Sequence, residues 1–281
     1  MANARTRLTI CCVTIAAGRP PFGAMLGEWR RCRRFSQLQL ALEAGVSARH
    51  LSFVETGRSR PSAELVLHLA DRLDIPLRER NDLLLAAGYA PAYAERELDA
   101  REMGPVREAI ERVLSAHEPY PALVVDRQWD LLVANRAFGA LVEGAAGHLL
   151  APPVNVLRLS LHPEGLAPRI VNLQQWRTHL LERLRRATLA TGDSALRALY
   201  EELVSYPGGN PRLSLGPTFA EVAVALRVRR RDTELSFIST RTSFGTALDV
   251  TVAELSIESF FPTDTGTATS MRGFAYRDTS D

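Results

Sequence analysis

The sequence predicts an α+β protein: an N-terminal all-α block of five helices, then a mixed α/β block built on an antiparallel sheet. Three observations carry this. Residues 25–90 are crowded with helix caps and helix stops. After the Pro/Gly cluster Pro207–Pro211 the apolar period shifts from that of a helix toward two. The 281 residues are 46% hydrophobic and 23% charged, which fits one large globular domain or two ordinary ones.

In the first block, Leu26–Arg34 reads as a helix with Leu26 and Trp29 on one face. Ser36 caps a second helix, Gln37–Glu43, which Gly45 ends. Ser47 caps a third helix that runs to Glu55 and stops at Gly57. Pro61-Ser62 opens a fourth, Ala63–Leu73, with Leu65, Leu69 and Leu73 on one stripe. Pro76 starts a fifth, which carries Leu83, Leu84 and Leu85 and ends at Gly88.

Two short helices joined around a Gly describe a helix-turn-helix. Val46, Leu51 and Val54 seat the third helix on the core, leaving Ala48, Arg49, Ser52 and Phe53 on its other face. Residues 28–60 hold seven Arg and three acids, a local charge of +4 against +2 for the whole chain. A basic patch over an exposed helix is the electrostatic signature of DNA binding. A five-helix bundle that mediates only protein contacts is the alternative.

The stretch SQLQLALEAGVSARHLSFVETGRSRPS (36–62) resembles the helix-turn-helix of the phage Cro/cI repressor class, the XRE family. The resemblance implies that the third helix enters the major groove. Carried over by position, Ser47, Ala48, Arg49, His50, Ser52 and Phe53 face the DNA, with Arg49 suited to a guanine edge and Phe53 to a thymine methyl. Gln37, Arg58 and Arg60 fall where phosphate is bound. The cluster Arg30, Arg31, Arg33 and Arg34 reads as a solvated face or as further phosphate contacts.

In the second block, Val106–Ala116 reads as an amphipathic helix. Two short apolar runs follow, Ala122–Asp126 and Trp129–Ala134, with Arg127 and Gln128 at hairpin-turn spacing. Asn135 caps a helix Arg136–Val142. Helices Asn172–Arg186 and Ser194–Val204 come next, then strand-like segments Glu221–Arg229, Glu234–Thr242 and Leu248–Ile257. Arg229–Asp232 reads as a charged hairpin tip. The domain plan is a disordered leader (1–24), a DNA-binding block (25–90), a linker (91–104), the mixed block (105–265) and a flexible C-terminus (266–281).

The segments PALVVDRQWDLLVAN (121–135), NVLRLSLHPEGLAPRIVN (155–172) and ELSFISTRTSFGTALDVTVAELSIESFFP (234–262) resemble the ligand-binding domain of MmyB-like transcription regulators. The resemblance implies a PAS-like fold that holds a small apolar ligand such as a fatty acid. Side chains suited to line such a site are Trp129, Leu132, Phe138, Trp176, Leu180, Phe237 and Phe244, with Arg169 and Arg177 as partners for a carboxylate; plain core packing and surface Arg are the alternatives. The expected protein is a cytoplasmic regulator, a homodimer on duplex operator DNA, whose second domain senses a ligand or only dimerises.

Other classes are disfavoured. All 34 basic residues are Arg, which excludes a Walker A lysine, a kinase-type lysine and a Schiff base. No H-E-x-x-H, G-x-S-x-G or G-x-G-x-x-G occurs, and the six His show no metal spacing, so neither an enzyme nor a metal or cofactor is expected. Cys11, Cys12 and Cys32 give neither a disulfide framework nor a zinc pattern. Arg5 and Arg7 before the apolar Leu8–Ala17 look superficially like a signal peptide; a disordered leader, or a start at Met25, are the rival readings. No apolar run approaches a membrane span.

Overall fold

The computed structural model describes residues 21–208 and 223–277. They form two compact units, one ending at Ala94 and the other beginning at Glu95, Ala187–Asp193 apart.

The first unit contains α1 (Phe22–Cys32), α2 (Gln37–Glu43), α3 (Ala48–Glu55), α4 (Ala63–Arg72) and α5 (Leu77–Ala86). Ser36, Ser47 and Ser62 each accept a backbone N–H from the first turn of the helix they precede. Leu26, Leu40, Leu51, Leu69 and Leu83, one from each helix, are at most 1% exposed and meet in one core. α1 starts inside the stretch expected as leader, because Phe22 is buried in that core. The rest of the leader, with the Leu8–Ala17 run, lies outside the described residues. Gly45, at φ 64°, turns the chain so that the Val46 N–H reaches the Ala41 carbonyl at 2.9 Å.

In the second unit a 3₁₀ turn, Arg101–Met103, leads into α6 (Gly104–Ala116). Then come β1 (Ala122–Val125), β2 (Leu131–Ala134), α7 (Gly139–Val142), α8 (Val156–Leu161), α9 (Leu173–Thr191) and α10 (Ser194–Ser205). The chain continues with β3 (Leu226–Arg230), β4 (Thr233–Ser243), α11 (Val250–Glu254), β5 (Ser256–Pro262) and α12 (Thr265–Arg277). The strands make one antiparallel sheet in the order β2-β1-β5-β4-β3. This is the expected α+β, PAS-like architecture. On one face Ile110 and Leu114 of α6 pack with Ala122, Val124 and Ile257. The register puts Phe237, Arg241, Glu258 and Phe260 on the opposite face.

Several local expectations change. Asn135 does not cap a helix: its amide accepts from the Ala122 N–H and donates to the Tyr120 carbonyl, tying the start of β1 to the end of β2. The β1–β2 connection is longer than Arg127-Gln128, because the Asp126 carboxylate accepts from the N–H groups of Gln128 and Asp130 and builds its own turn. The segment Leu248–Ile257 is not one strand. Asp249 accepts from the Thr251 N–H and starts α11, and β5 follows it. Residues 266–277 of the expected flexible end belong to α12 (Thr265–Arg277), which is anchored by the fully buried Thr267 and Met271. The hairpin tip is tied down by ion pairs from Arg230 and Arg231 to Glu143. The expected linker is held at both ends: Asn81 binds the backbone of Ala92 and Tyr93, while Arg107 donates to the carbonyls of Leu98 and Ala100. Residues 209–222, with the first two positions of the strand expected at Glu221, lie outside the described residues.

Gly23 is where α1 touches α3. A Cβ there would lie 2.1 Å from the carbonyl oxygen of Glu55. Gly23→Ala is therefore expected to lower stability by about 1–3 kcal/mol through overpacking, measured by urea unfolding. An unchanged midpoint would refute the close approach.

Candidate nucleic-acid interface and buried charge in the second unit

α3 shows two chemically distinct sides. Leu51 and Val54 are buried in the core. Ser47 and Arg49 are exposed, and Ala48, His50, Ser52 and Phe53 are half-buried. Phe53 carries two cations: the guanidinium carbon of Arg49 lies 5.3 Å from its ring centroid and that of Arg58 lies 5.9 Å away. No carboxylate among the described residues pairs with Arg49 or Arg58. An aromatic neighbour orients a guanidinium without neutralising it, so this side keeps its positive charge.

The other arginines of the region behave differently. Arg30 forms a bidentate pair with Glu55, at 2.7 and 3.0 Å, and donates to the Phe35 carbonyl. Arg33 donates to the carbonyls of Leu73 and Asp74 beyond α4. Neither is a solvated surface charge, as their sequence cluster had suggested; Arg31 and Arg34 are exposed. Arg60 stacks on Tyr89 and donates to the carbonyls of Ala87 and Gly88 at the end of α5. These bonds cap that helix. Gln37 sits at the start of α2, and its amide nitrogen donates to Glu55 Oε2 at 2.7 Å. One amide N–H is thereby used, so Gln37 also positions α2 against α3.

Glu55 thus joins three helices. Burial pushes its carboxyl up, but the hydrogen bonds from Arg30 and Gln37, with the charges of Arg30 and Arg31, outweigh that and hold it below the usual carboxylate range.

In the second unit the candidate lining residues do not form one group. Trp129, Trp176, Leu180 and Phe237 are buried, Phe138 is half-buried, and Leu132 is 42% exposed on the edge strand β2. Phe237 meets Phe260 edge-on on one face of the sheet, while Phe244 packs with the α6 cluster on the other. The Trp176 indole donates to Ser160 Oγ and stacks on His179. Arg169 donates to the Leu141 carbonyl, and burial lowers its pKa.

Arg177 is the anomaly. It is 1% exposed and, among the described residues, donates to the Val204 carbonyl at 2.8 Å and leaves Nε and Nη1 unbonded. Burial lowers its pKa. A buried guanidinium without an anion is costly, because desolvation is not offset.

A second charged group was not anticipated from the sequence. Glu258, 5% exposed on β5, forms an ion pair with Arg183 of α9. Arg241 sits directly across from it in the β4–β5 register and donates to Ser256 Oγ. Both guanidiniums lie over the Trp129 indole, at 4.6 and 5.5 Å, and Trp129 itself is in the left-handed region at φ 68°. Burial lowers the pKa of Arg241, and the Arg183 charge lowers it further. Burial likewise lowers that of His179, with Arg183 and Arg186 adding to it. Arg183 is the ion-pair partner of Glu258, while Arg241, its cross-strand neighbour, feels the same carboxylate only through its charge. Arg183 was findable as the i+7 neighbour of Trp176, but the placing of Arg241 across from Glu258 needs the sheet register.

Residues 106–272, more than half of the chain, match the family described as the MmyB-like transcription regulator ligand binding domain. Residues 27–80 match a helix-turn-helix family. The chain is also similar to the uncharacterized HTH-type transcriptional regulator RghRB of Bacillus subtilis (strain 168). The two are 34% identical over 105 residues, which is 37% of this chain and 67% of that protein.

The lowered pKa of Glu55 has a definite pH consequence. Above its unfolded value, near 4.3 for a free Glu, the ionised carboxylate contributes its full stabilisation. As pH falls from there through the folded value, that contribution is lost. Glu55→Gln is expected to flatten this part of the stability–pH curve and to cost on the order of 3 kcal/mol at neutral pH by stranding Arg30. Denaturant unfolding between pH 3 and 7 (roughly the span of the titration) reads both effects, and parallel curves for the two proteins would contradict the assignment.

Proposed function

This chain belongs to the family of MmyB-like transcription regulators, and on that footing we propose how its two parts work. It joins a helix-turn-helix DNA-binding domain to a ligand-binding domain. α3 reads an operator. Arg49 takes a guanine edge, Phe53 meets a thymine methyl, and Ser47, Ala48, His50 and Ser52 complete the reading surface. Arg58 and the α2 N-terminus with Gln37 bind phosphate. The observation that carries this is the un-neutralised Arg49–Phe53–Arg58 surface on a helix whose opposite side is core. The DNA-binding part extends from Phe22 to Tyr93, and the ligand-binding part from Glu95 through α12.

The ligand is a small apolar acid such as a fatty acid, and its carboxylate pairs with Arg177. The two unbonded nitrogens of that buried side chain support this. The protein acts as a cytoplasmic homodimer. No described helix is long and apolar enough to cross a membrane. A ligand shifts operator affinity only by its differential affinity for two arrangements of the dimer. The outlet for that shift is α6 with the preceding segment, which Arg96–Asp249 and Arg107 fasten to the second unit.

Two measurements test these readings. On an operator obtained by selection from random duplexes, Arg49→Ala is expected to lose about 1–3 kcal/mol while binding random DNA nearly unchanged. Arg58→Ala weakens both and makes the salt slope shallower by about one. Equal losses for Arg49→Ala on both DNAs would remove the base-reading role. For the ligand, a saturated fatty acid should raise the melting temperature of the wild type. Its methyl ester should raise it less, and Arg177→Met should abolish the difference between them. Acid and ester acting alike on the wild type would overturn the carboxylate pairing.

A further inference from the structure

Three metal-ligand side chains converge in the second unit, outside the residues discussed so far. His148 lies in the 3₁₀ turn Gly147–Leu149, and His162 and Glu164 lie in the loop after α8. Among the described residues, this is the group whose ligand atoms, one from each side chain, all fall within 4.8 Å of one another. His148 Nε2 is 3.8 Å from Glu164 Oε2. The two imidazoles meet edge to face with centroids 5.6 Å apart. Ligands bonded to one zinc-sized ion at about 2.0–2.2 Å lie roughly 3–3.5 Å from each other. Rotation of exposed side chains closes that difference.

We propose that His148, His162 and Glu164 bind one divalent late first-row cation of the zinc class, with water completing the coordination. Two imidazole nitrogens and one carboxylate oxygen suit zinc, cobalt or nickel better than magnesium or calcium, which favour all-oxygen shells. The backbone of the two stretches is already cross-tied. The Ala146 N–H donates to the Glu164 carbonyl at 2.9 Å, and the Gly165 N–H donates to the His162 carbonyl at 2.9 Å. The His162 ring is set by an edge contact with Tyr206, 5.1 Å between centroids. Tyr206 in turn donates to Glu202, which pairs with Arg158 at 2.8 Å. This packing limits the orientations open to the His162 ring.

The cost is identifiable. His162 Nδ1 accepts from the Glu164 N–H at 3.1 Å. Ligation through Nε2 moves the ring proton to Nδ1 and gives up that bond; ligation through Nδ1 gives up the same bond. An exposed His–Glu ion pair is worth little by itself, so it does not explain why a second imidazole is held at the same spot. The spacing in sequence, thirteen residues between the histidines and one between His162 and Glu164, matches no short zinc pattern, which is why the residues alone gave no signal.

The test is calorimetric titration of the full-length, EDTA-treated protein with zinc chloride, with cobalt chloride absorption as a second readout. The expected result is one equivalent bound at micromolar affinity, weakened at least about tenfold in His162→Ala and in Glu164→Gln. His148→Ala, at an exposed position, gives the same loss with the melting temperature of the metal-free protein unchanged. His50→Ala and the triple variant Cys11→Ser, Cys12→Ser, Cys32→Ser bind as the wild type does. Cobalt gives visible bands that vanish in His148→Ala. No saturable uptake at micromolar zinc overturns the proposal. So does uptake that survives both histidine variants, and so does uptake lost in the triple cysteine variant.

Discussion

The Glu55 carboxylate sets the geometry of the first unit. It receives Arg30 from α1 and Gln37 from α2, and its own backbone lies against Gly23. A helix-turn-helix is useful only if the reading helix projects at a fixed angle from the helices behind it. Apolar packing through Leu40, Leu51 and Val54 holds α3 in place but has no preferred direction. The bidentate guanidinium–carboxylate pair supplies direction, because its two parallel hydrogen bonds tolerate little rotation. The same pair withdraws one positive and one negative charge from the surface. Arg49 and Arg58 then remain as cations on the far side of the helix.

The arginines of this chain divide by what stands next to them. Beside a carboxylate, as for Arg30, Arg158 and Arg183, the side chain is a strut. Beside helix-terminal carbonyls, as for Arg33 and Arg60, it is a cap. Beside an aromatic ring, as for Arg49 and Arg58, it keeps its charge without a carboxylate partner among the described residues. Among the described residues Arg177 has none of these, with one carbonyl and two unbonded nitrogens in a buried setting. A chain without lysine must fill all three roles with one residue type, so composition cannot separate them.

The second unit places a buried charged group on one face of its sheet, beside Phe237 and Phe260, and packs α6 on the other. α6 seals the Ala122–Val124–Ile257 face with aliphatic side chains. The opposite face holds Glu258 and Arg241 in register, with Arg183 and Trp129 over them. Alternation along a strand separates the two sets by a single residue, as Ile257 and Glu258 show. A slip of one position would bury charge against α6, so this register is strongly specified.

What the sequence determined by itself was local. Ser36, Ser47 and Ser62 marked helix starts, Gly45 marked the turn, and Leu26, Leu51 and Leu69 marked the buried stripes. Each depends on hydrogen bonds or periodicities that span only a few residues. The exposed side of α3 followed from the same periodicity. Local signals also misled: the apolar stretch from Leu248 read as a strand, and the Thr-rich end read as a tail, because α11 and α12 are started by the single carboxylates Asp249 and Asp264. Tertiary structure alone decided the order of the strands, the capping by Arg60, the burial of Arg177 and the placing of Arg241 across from Glu258. Those outcomes depend on which distant surfaces meet, and no short window of residues contains that information.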